Sequence, residues 1–335
     1  MGLERAIGRM LMLGFRGASM DDPETREDVA DLKKAHAGGV ILFDRDLGTG
    51  GGRNIESSEQ LQKLIADLRH ELGEELIVSV DEEGGEVSRL KKLVRSFGAA
   101  ELSAKTHREI ETAGMMLAMA MNDLGINLNF APCVDLAINP ASSIIAERGR
   151  SFGSDRVHAT GSIEAYLDGF FSDGQLCRVR CCLKHFPGHG SAAGDTHDGL
   201  VDITKTHHAD EIRIYQDLLM QCGPAVCVMT GHLMHRDWDP NYPASLSRAI
   251  TTQWLRKELG FDGVVVTDSL DMGGAAIAGA PLLAANAGAD ILLYGNNTPA
   301  GFIPFMATRM HSELVAGIDP ERAFEAAARI DRAFR

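Results

Sequence analysis

This chain is short of positive charge. Its 335 residues carry 33 Lys and Arg against 47 Asp and Glu, a net charge of −14. A surface of that sign repels nucleic acid and anionic membrane faces. The chain also lacks any apolar run of about 18 residues, the length a membrane-spanning helix needs. Its opening MGLERAIGRMLMLGF sets Glu4, Arg5 and Arg9 among the apolar residues, and no small-residue cleavage site follows, so it does not read as a secretory leader. Cysteines stand at 133, 177, 181, 182, 222 and 227 without a Cys-x-x-Cys pair. Cys181 and Cys182 lie in an apolar run, where thiols behave as small hydrophobes. Reduced, structural cysteines and a cytoplasmic location are expected. No Pro/Ser-rich linker or low-complexity tract divides the chain, and the glycines of GTGGGRN, 48–54, lack the spacing of a phosphate cradle.

What is present is a repeat. Short apolar runs recur at 11–15, 39–43, 76–80, 126–130, 179–184, 225–230, 263–267 and 290–294. Runs of this length, rich in β-branched residues, suit strands buried on both faces. Helical stretches lie between them: SSEQLQKLIADLRHEL opens on a serine cap, and SLSRAITTQWLRKELG closes on a glycine. Eight strands alternating with helices predict a parallel sheet closed into a single (β/α)8 barrel over residues 1–335, with no second C-terminal domain.

Chemistry in such barrels sits where strands end. The strand ends supply Asp81 and Arg89, then Arg150, Lys184 with His185, Thr230 with His232, Asp268, and Asn296. The fifth strand opens the loop KHFPGHGSAAGDTH, 184–197, which holds three histidines and an aspartate among glycines and a proline. Charges flush against a buried strand are costly unless paired or used. Three reaction classes could use them. His185, His189, His197 and Asp268 could hold a metal, but Pro187, Gly188 and Gly190 forbid a helix that would align His185 with His189, and Lys184 repels a cation. Lys184 could form a Schiff base if nearby histidines lowered its pKa. Asp268 could be a glycosidase nucleophile, with a histidine as proton donor.

The spacing KHFPGHG, four residues, then DTH resembles the signature of family 3 glycoside hydrolases, in their β-N-acetylhexosaminidase branch. DEEGGEVSRL, APCVDL, RSFG, PASLS at 243–247 and GVVVTDSLDM resemble that family's other blocks, in its order. The resemblance spans roughly residues 5 to 335. It implies that Asp268 is the nucleophile that forms a glycosyl-enzyme, that His197 is the acid/base and that Asp195 is its dyad partner. It also implies that Asp81, Arg89, Arg150, Lys184 and His185 hold the sugar. No metal and no cofactor is implied; the partner is a carbohydrate, an N-acetylglucosaminide. The glycines would let the loop fold over the sugar and carry His197 to the scissile bond. The expected activity is a retaining exo-β-N-acetylglucosaminidase on cell-wall fragments, monomer favoured. The rivals are a β-glucosidase, a phosphorylase of the same family and a sugar-binding protein without turnover.

Other residues read more plainly. His189 braces the loop, His207 and His208 begin a helix at the surface, and Asp271 caps a helix. The stretch 273–288 forms a packed helix, while His232 and Asn296 have no sharp role. Glu82 and Glu86 stand where relatives often carry Gln and Arg, and their added negative charge beside the sugar argues against acidic substrates. The connection after Asp268 looks short, which would leave the rim there open.

Overall fold

The computed structural model describes residues 1–172 and 178–334. Cys177 lies outside them, and the other five cysteines are free thiols. Eight strands form the barrel: β1 Leu11–Gly14, β2 Gly39–Leu42, β3 Ile77–Val80, β4 Leu128–Asn129, β5 Arg180–Phe186, β6 Cys227–Thr230, β7 Val265–Thr267 and β8 Leu292–Tyr294. They pair in parallel in the order β7-β6-β5-β4-β3-β2-β1-β8. A parallel bridge from Val266 to Ile291 joins the two ends of that order. The expected (β/α)8 barrel is the fold.

The apolar runs are continuous because both strand faces are buried. Cys227 and Met229 of β6 and Ile41 of β2 point into the barrel with Val266, Ile291 and Leu293. Their neighbours Val228, Val40, Val265 and Leu292 face the surrounding helices. Full burial of such a side chain is worth about 1.5–3 kcal/mol. The helix Pro320–Phe334 closes the N-terminal mouth, with Ile330 in the inner cluster and Phe334 packed against it.

Helix Ser58–Leu72 starts where the serine cap predicts, with the Ser57 side chain accepting from Gln60 N, and it buries Leu61, Leu64, Ile65 and Leu68. Other elements depart from expectation. Ala249–Glu258 runs as a π-helix rather than an α-helix. The stretch 273–288 is not one helix: a 3₁₀ turn at Gly273–Ala275 precedes helix Ala280–Ala287. Gly273 N and Gly274 N donate to His197 O and Thr196 O, so this backbone is spent on holding the 184–197 loop instead of continuing a helix. Asp271 caps no helix; its Oδ1 accepts from the Ser269 hydroxyl at 2.5 Å. His208 does cap helix Ala209–Cys222. His207 is not a surface residue: half-buried, it meets the rings of His235 and Trp238 edge-on. Among the described residues no helix is long and apolar enough to cross a membrane.

Candidate active site

At the C-terminal mouth of the barrel a cavity of about 410 Å³ is lined by Asp81, Arg89, Arg150, Lys184, His185, His197 and Asp268. Of the residues marked out by sequence, these seven converge, and Asp195 stands behind His197.

Lys184 and His185 lie within the last residues of β5. The Lys184 ammonium is buried, 2.6 Å from Asp81 Oδ1 and 2.7 Å from Glu83 Oε1. Arg150 grips Glu83 with Nε and one terminal nitrogen, both at 2.8 Å. These four groups neutralise one another, which is what makes a buried charge cluster tolerable. Burial alone would raise the Glu83 pKa, but the adjacent Arg150 and Lys184 hold it well below the carboxylate range. Burial would likewise depress Lys184, yet Asp81 and Glu83 keep it above its ordinary value. A Schiff-base lysine needs the reverse shift, so that chemistry has no support here. Glu83 was not singled out from the sequence, although it is the hub of the cluster.

Asp135 is the second residue that sequence reasoning missed. It follows β4, and its buried Oδ2 takes His185 Nδ1 at 2.7 Å, while Oδ1 takes the His189 backbone N–H at 2.7 Å. The carboxylate can only accept, so His185 carries its proton on Nδ1 and presents Nε2 toward Arg150 at 3.5 Å. Cys133 Sγ lies 3.3 Å from Asp135 Oδ2. Cys133, Asp135 and His185 form the set of possible metal-ligand atoms that converges among the described residues, all within 4.8 Å. Asp135 is already saturated by these donors, and the four-residue set weighed from sequence is not this one. His189 braces the loop as expected, with Nε2 3.4 Å from Thr196 Oγ1; burial lowers its pKa to about 4, so it is neutral.

Asp268 leaves β7 with its backbone N–H on Thr230 O at 2.9 Å. Burial pushes its pKa up, but His232, His185, His197 and the Ser269 N–H outweigh burial and lower it to about 2. The carboxylate is therefore ionised, as a nucleophile must be. Across the cavity, His197 sits on the loop with 64% of its side chain exposed. Asp195 Oδ1 accepts from both His197 N at 2.8 Å and Nδ1 at 2.7 Å, which leaves Nε2 free to exchange protons. Those hydrogen bonds and the charge of His197 outweigh partial burial and lower the Asp195 pKa, so the partner stays ionised too.

Arg89 lines the wall near Asp44, 3.9 Å away. Glu82 and Glu86 do not line the cavity. Glu82 is buried with Oε2 on Leu90 N and Oε1 on the Ser96 hydroxyl, and Glu86 is exposed outside the cavity. They therefore place no negative charge on the cavity wall, and acidic substrates are not disfavoured on their account. After Asp268 the cavity is lined by Asp271, Met272 and residues of the 295–299 segment.

The sequence matches the family described as "Glycosyl hydrolase family 3 N terminal domain" over residues 3–332. It is 37% identical over 336 residues to the β-hexosaminidase LpqI of Mycobacterium tuberculosis, covering 95% of this chain and 79% of that protein. A β-hexosaminidase of Tolumonas auensis is 32% identical over 300 residues, 86% of this chain and 83% of its own length. Among solved structures, a β-N-acetylhexosaminidase from Beutenbergia cavernae superposes with a TM-score of 0.83 at 26% identity, covering 99% and 98% of the two chains. A β-N-acetylglucosaminidase from a Paenibacillus strain gives 0.82 at 28% identity; 99% of this chain spans 62% of that longer one.

Proposed function

The chain belongs to glycosyl hydrolase family 3, and from that premise we propose that it is a retaining exo-β-N-acetylglucosaminidase that removes terminal β-linked N-acetylhexosamine. Residues 1–335 act as one catalytic barrel domain. The relatives named β-hexosaminidases support this reading, and one observation carries it: a half-buried, ionised Asp268 shares a single cavity with an exposed Asp-paired imidazole.

In the first step an oxygen of Asp268 attacks the anomeric carbon as the bond to the leaving oxygen breaks. His197 Nε2–H gives its proton to that oxygen, and Asp195 stabilises the imidazolium form through Nδ1–H. Water entering the vacated side then loses a proton to His197, attacks the anomeric carbon and releases Asp268. Two displacements give net retention. Lys184, Asp81 and Arg150 hold sugar hydroxyls, with Arg89 and His185 on the flanking walls. No metal or cofactor enters this scheme. Cell-wall peptidoglycan fragments are the proposed source of substrate, handled by a cytoplasmic monomer.

The test is release of p-nitrophenol from the β-N-acetylglucosaminide, with and without phosphate. Asp268→Ala should lose nearly all turnover, and unchanged rates would refute the nucleophile. Formation of N-acetylglucosamine 1-phosphate would replace hydrolysis by phosphorolysis, and preference for the β-glucoside would replace the substrate.

A further inference from the structure

One fully buried imidazole beside the cavity has no part in these steps. His232 follows β6, with Nδ1 2.7 Å from Ser245 Oγ and Nε2 2.8 Å from the carbonyl oxygen of Ser269. A carbonyl oxygen only accepts, so the proton sits on Nε2, and Nδ1 of the neutral ring accepts from the Ser245 hydroxyl. Burial depresses the pKa of this ring, against the pull of Asp268 and Asp271 and with the push of His197, so it is neutral in the resting site.

The bond matters because of what Ser269 does. It is the residue after Asp268, and its N–H donates to Asp268 Oδ1 at 2.8 Å. Its hydroxyl donates to Asp271 Oδ1 at 2.5 Å and accepts from Gly295 N at 2.7 Å. With the carbonyl held by His232 and by the Met272 N–H at 3.0 Å, every polar atom of Ser269 is engaged. The base of the His232 side chain rests against Gly274, where a Cβ would stand 2.7 Å from the His232 Cβ. The sixth strand thus grips the nucleophile twice, at Thr230 O and through His232.

We propose that His232 is a positioning residue for Asp268: its Nε2–H clamps the Ser269 carbonyl and so sets the angle at which the carboxylate meets the anomeric carbon. This rests on the reading of Asp268 as nucleophile. Misplacing a reacting group by an ångström costs on the order of 100-fold in rate.

Two amide replacements separate clamp from scaffold. In His232→Gln the amide nitrogen stands near the position of Nε2 and can still donate to Ser269 O. In His232→Asn the amide reaches only the Ser245 side. Both are polar and smaller than the cavity they fill, so burial is treated alike. On the aryl N-acetylglucosaminide, Asn should lower kcat about 100-fold and Gln no more than about tenfold. KM and inhibition by free N-acetylglucosamine should stay within about threefold in both. Equal kcat in the two variants, or losses confined to melting temperature and KM, would overturn the clamp. If Asp268→Ala keeps its activity in the same assay, the nucleophile assignment fails instead, whatever the His232 variants do.

Discussion

At the scale of single residues, the proposed reaction separates a pair that reacts, Asp268 and His197, from the charged cluster of Asp81, Glu83, Arg150 and Lys184. Asp268 is held at a pKa of about 2, so the acid limb of kcat/KM above pH 4 is expected to come from another group. The sign for stability follows the same shift. A carboxyl depressed in the folded state favours folding above its unfolded pKa, and that contribution fades as pH falls through about 2. His197→Ala should cost far less with a p-nitrophenyl leaving group than with a sugar leaving group, since a nitrophenolate needs little protonation. Equal losses on both substrates would remove His197 from the acid role. Glu83→Gln should strip Arg150 and Lys184 of a shared counter-charge. Breaking a buried pair costs about 3–5 kcal/mol, so a lower melting temperature together with a raised KM is expected. An unchanged melting curve would show that Asp81 alone neutralises the cluster.

The charged residues of the site also show what could be read from sequence alone. Asp81, Lys184 and Asp268 announce themselves as charges directly abutting apolar runs. Glu83 is one of three glutamates in DEEGGE. Only the pleat of the hairpin Glu82–Gly84 with Val87–Ser88 turns Glu83 into the cavity and Glu82 away from it. Asp135 lies in an irregular segment after β4, where no periodicity tells which way a side chain points.

At the scale of elements, the loop 184–197 is seated rather than free. A Cβ on Gly190 would stand 1.6 Å from Leu136 O, and the Gly273–Ala275 turn hydrogen-bonds the 196–197 backbone. Gly190→Ala is therefore expected to displace the loop from Leu136 and Asp135, with a large loss of kcat measurable at temperatures where the barrel is still folded. Wild-type kcat in that variant would contradict the seating. A buried imidazole makes the same loop sensitive to acid. His189 titrates near pH 4, below its ordinary value because of burial. A histidine depressed in this way binds its proton more readily when unfolded, so stability should fall as pH drops from about 6.5 to 4. His189→Phe should flatten that part of a melting-temperature profile; an identical slope would place the sensitivity elsewhere. The strands and the capped helix Ser58–Leu72 were legible because apolar period and cap chemistry coincide there. The 273–288 stretch was not, because its glycines serve contacts with a loop some eighty residues earlier in the chain, and local pattern carries no trace of such contacts.

At the scale of the whole molecule, the two mouths of the barrel do different work. The C-terminal mouth carries the site. On the far side Asp290, fully buried, accepts Val265 N and is ringed by Arg256, Arg322 and Arg329 where β7 and β8 join. Asp290→Ala would leave those guanidinium groups unpaired at the closure, a cost of about 3–5 kcal/mol. The expected outcome is a markedly lower melting temperature with unchanged kcat per folded molecule. The barrel itself was readable because eight two-sided apolar runs admit few other arrangements; its closing ion cluster was not, since it gathers one aspartate and three arginines from distant segments.

The most direct measurement is to trap the intermediate. The enzyme would be incubated with a slow, fluorinated N-acetylglucosaminyl fluoride, digested, and mapped by mass spectrometry. A sugar adduct on the peptide bearing Asp268, absent from Asp268→Ala, together with first-formed product of retained configuration, is the predicted result. An inverted product with no adduct, or a label on another carboxylate, would contradict it.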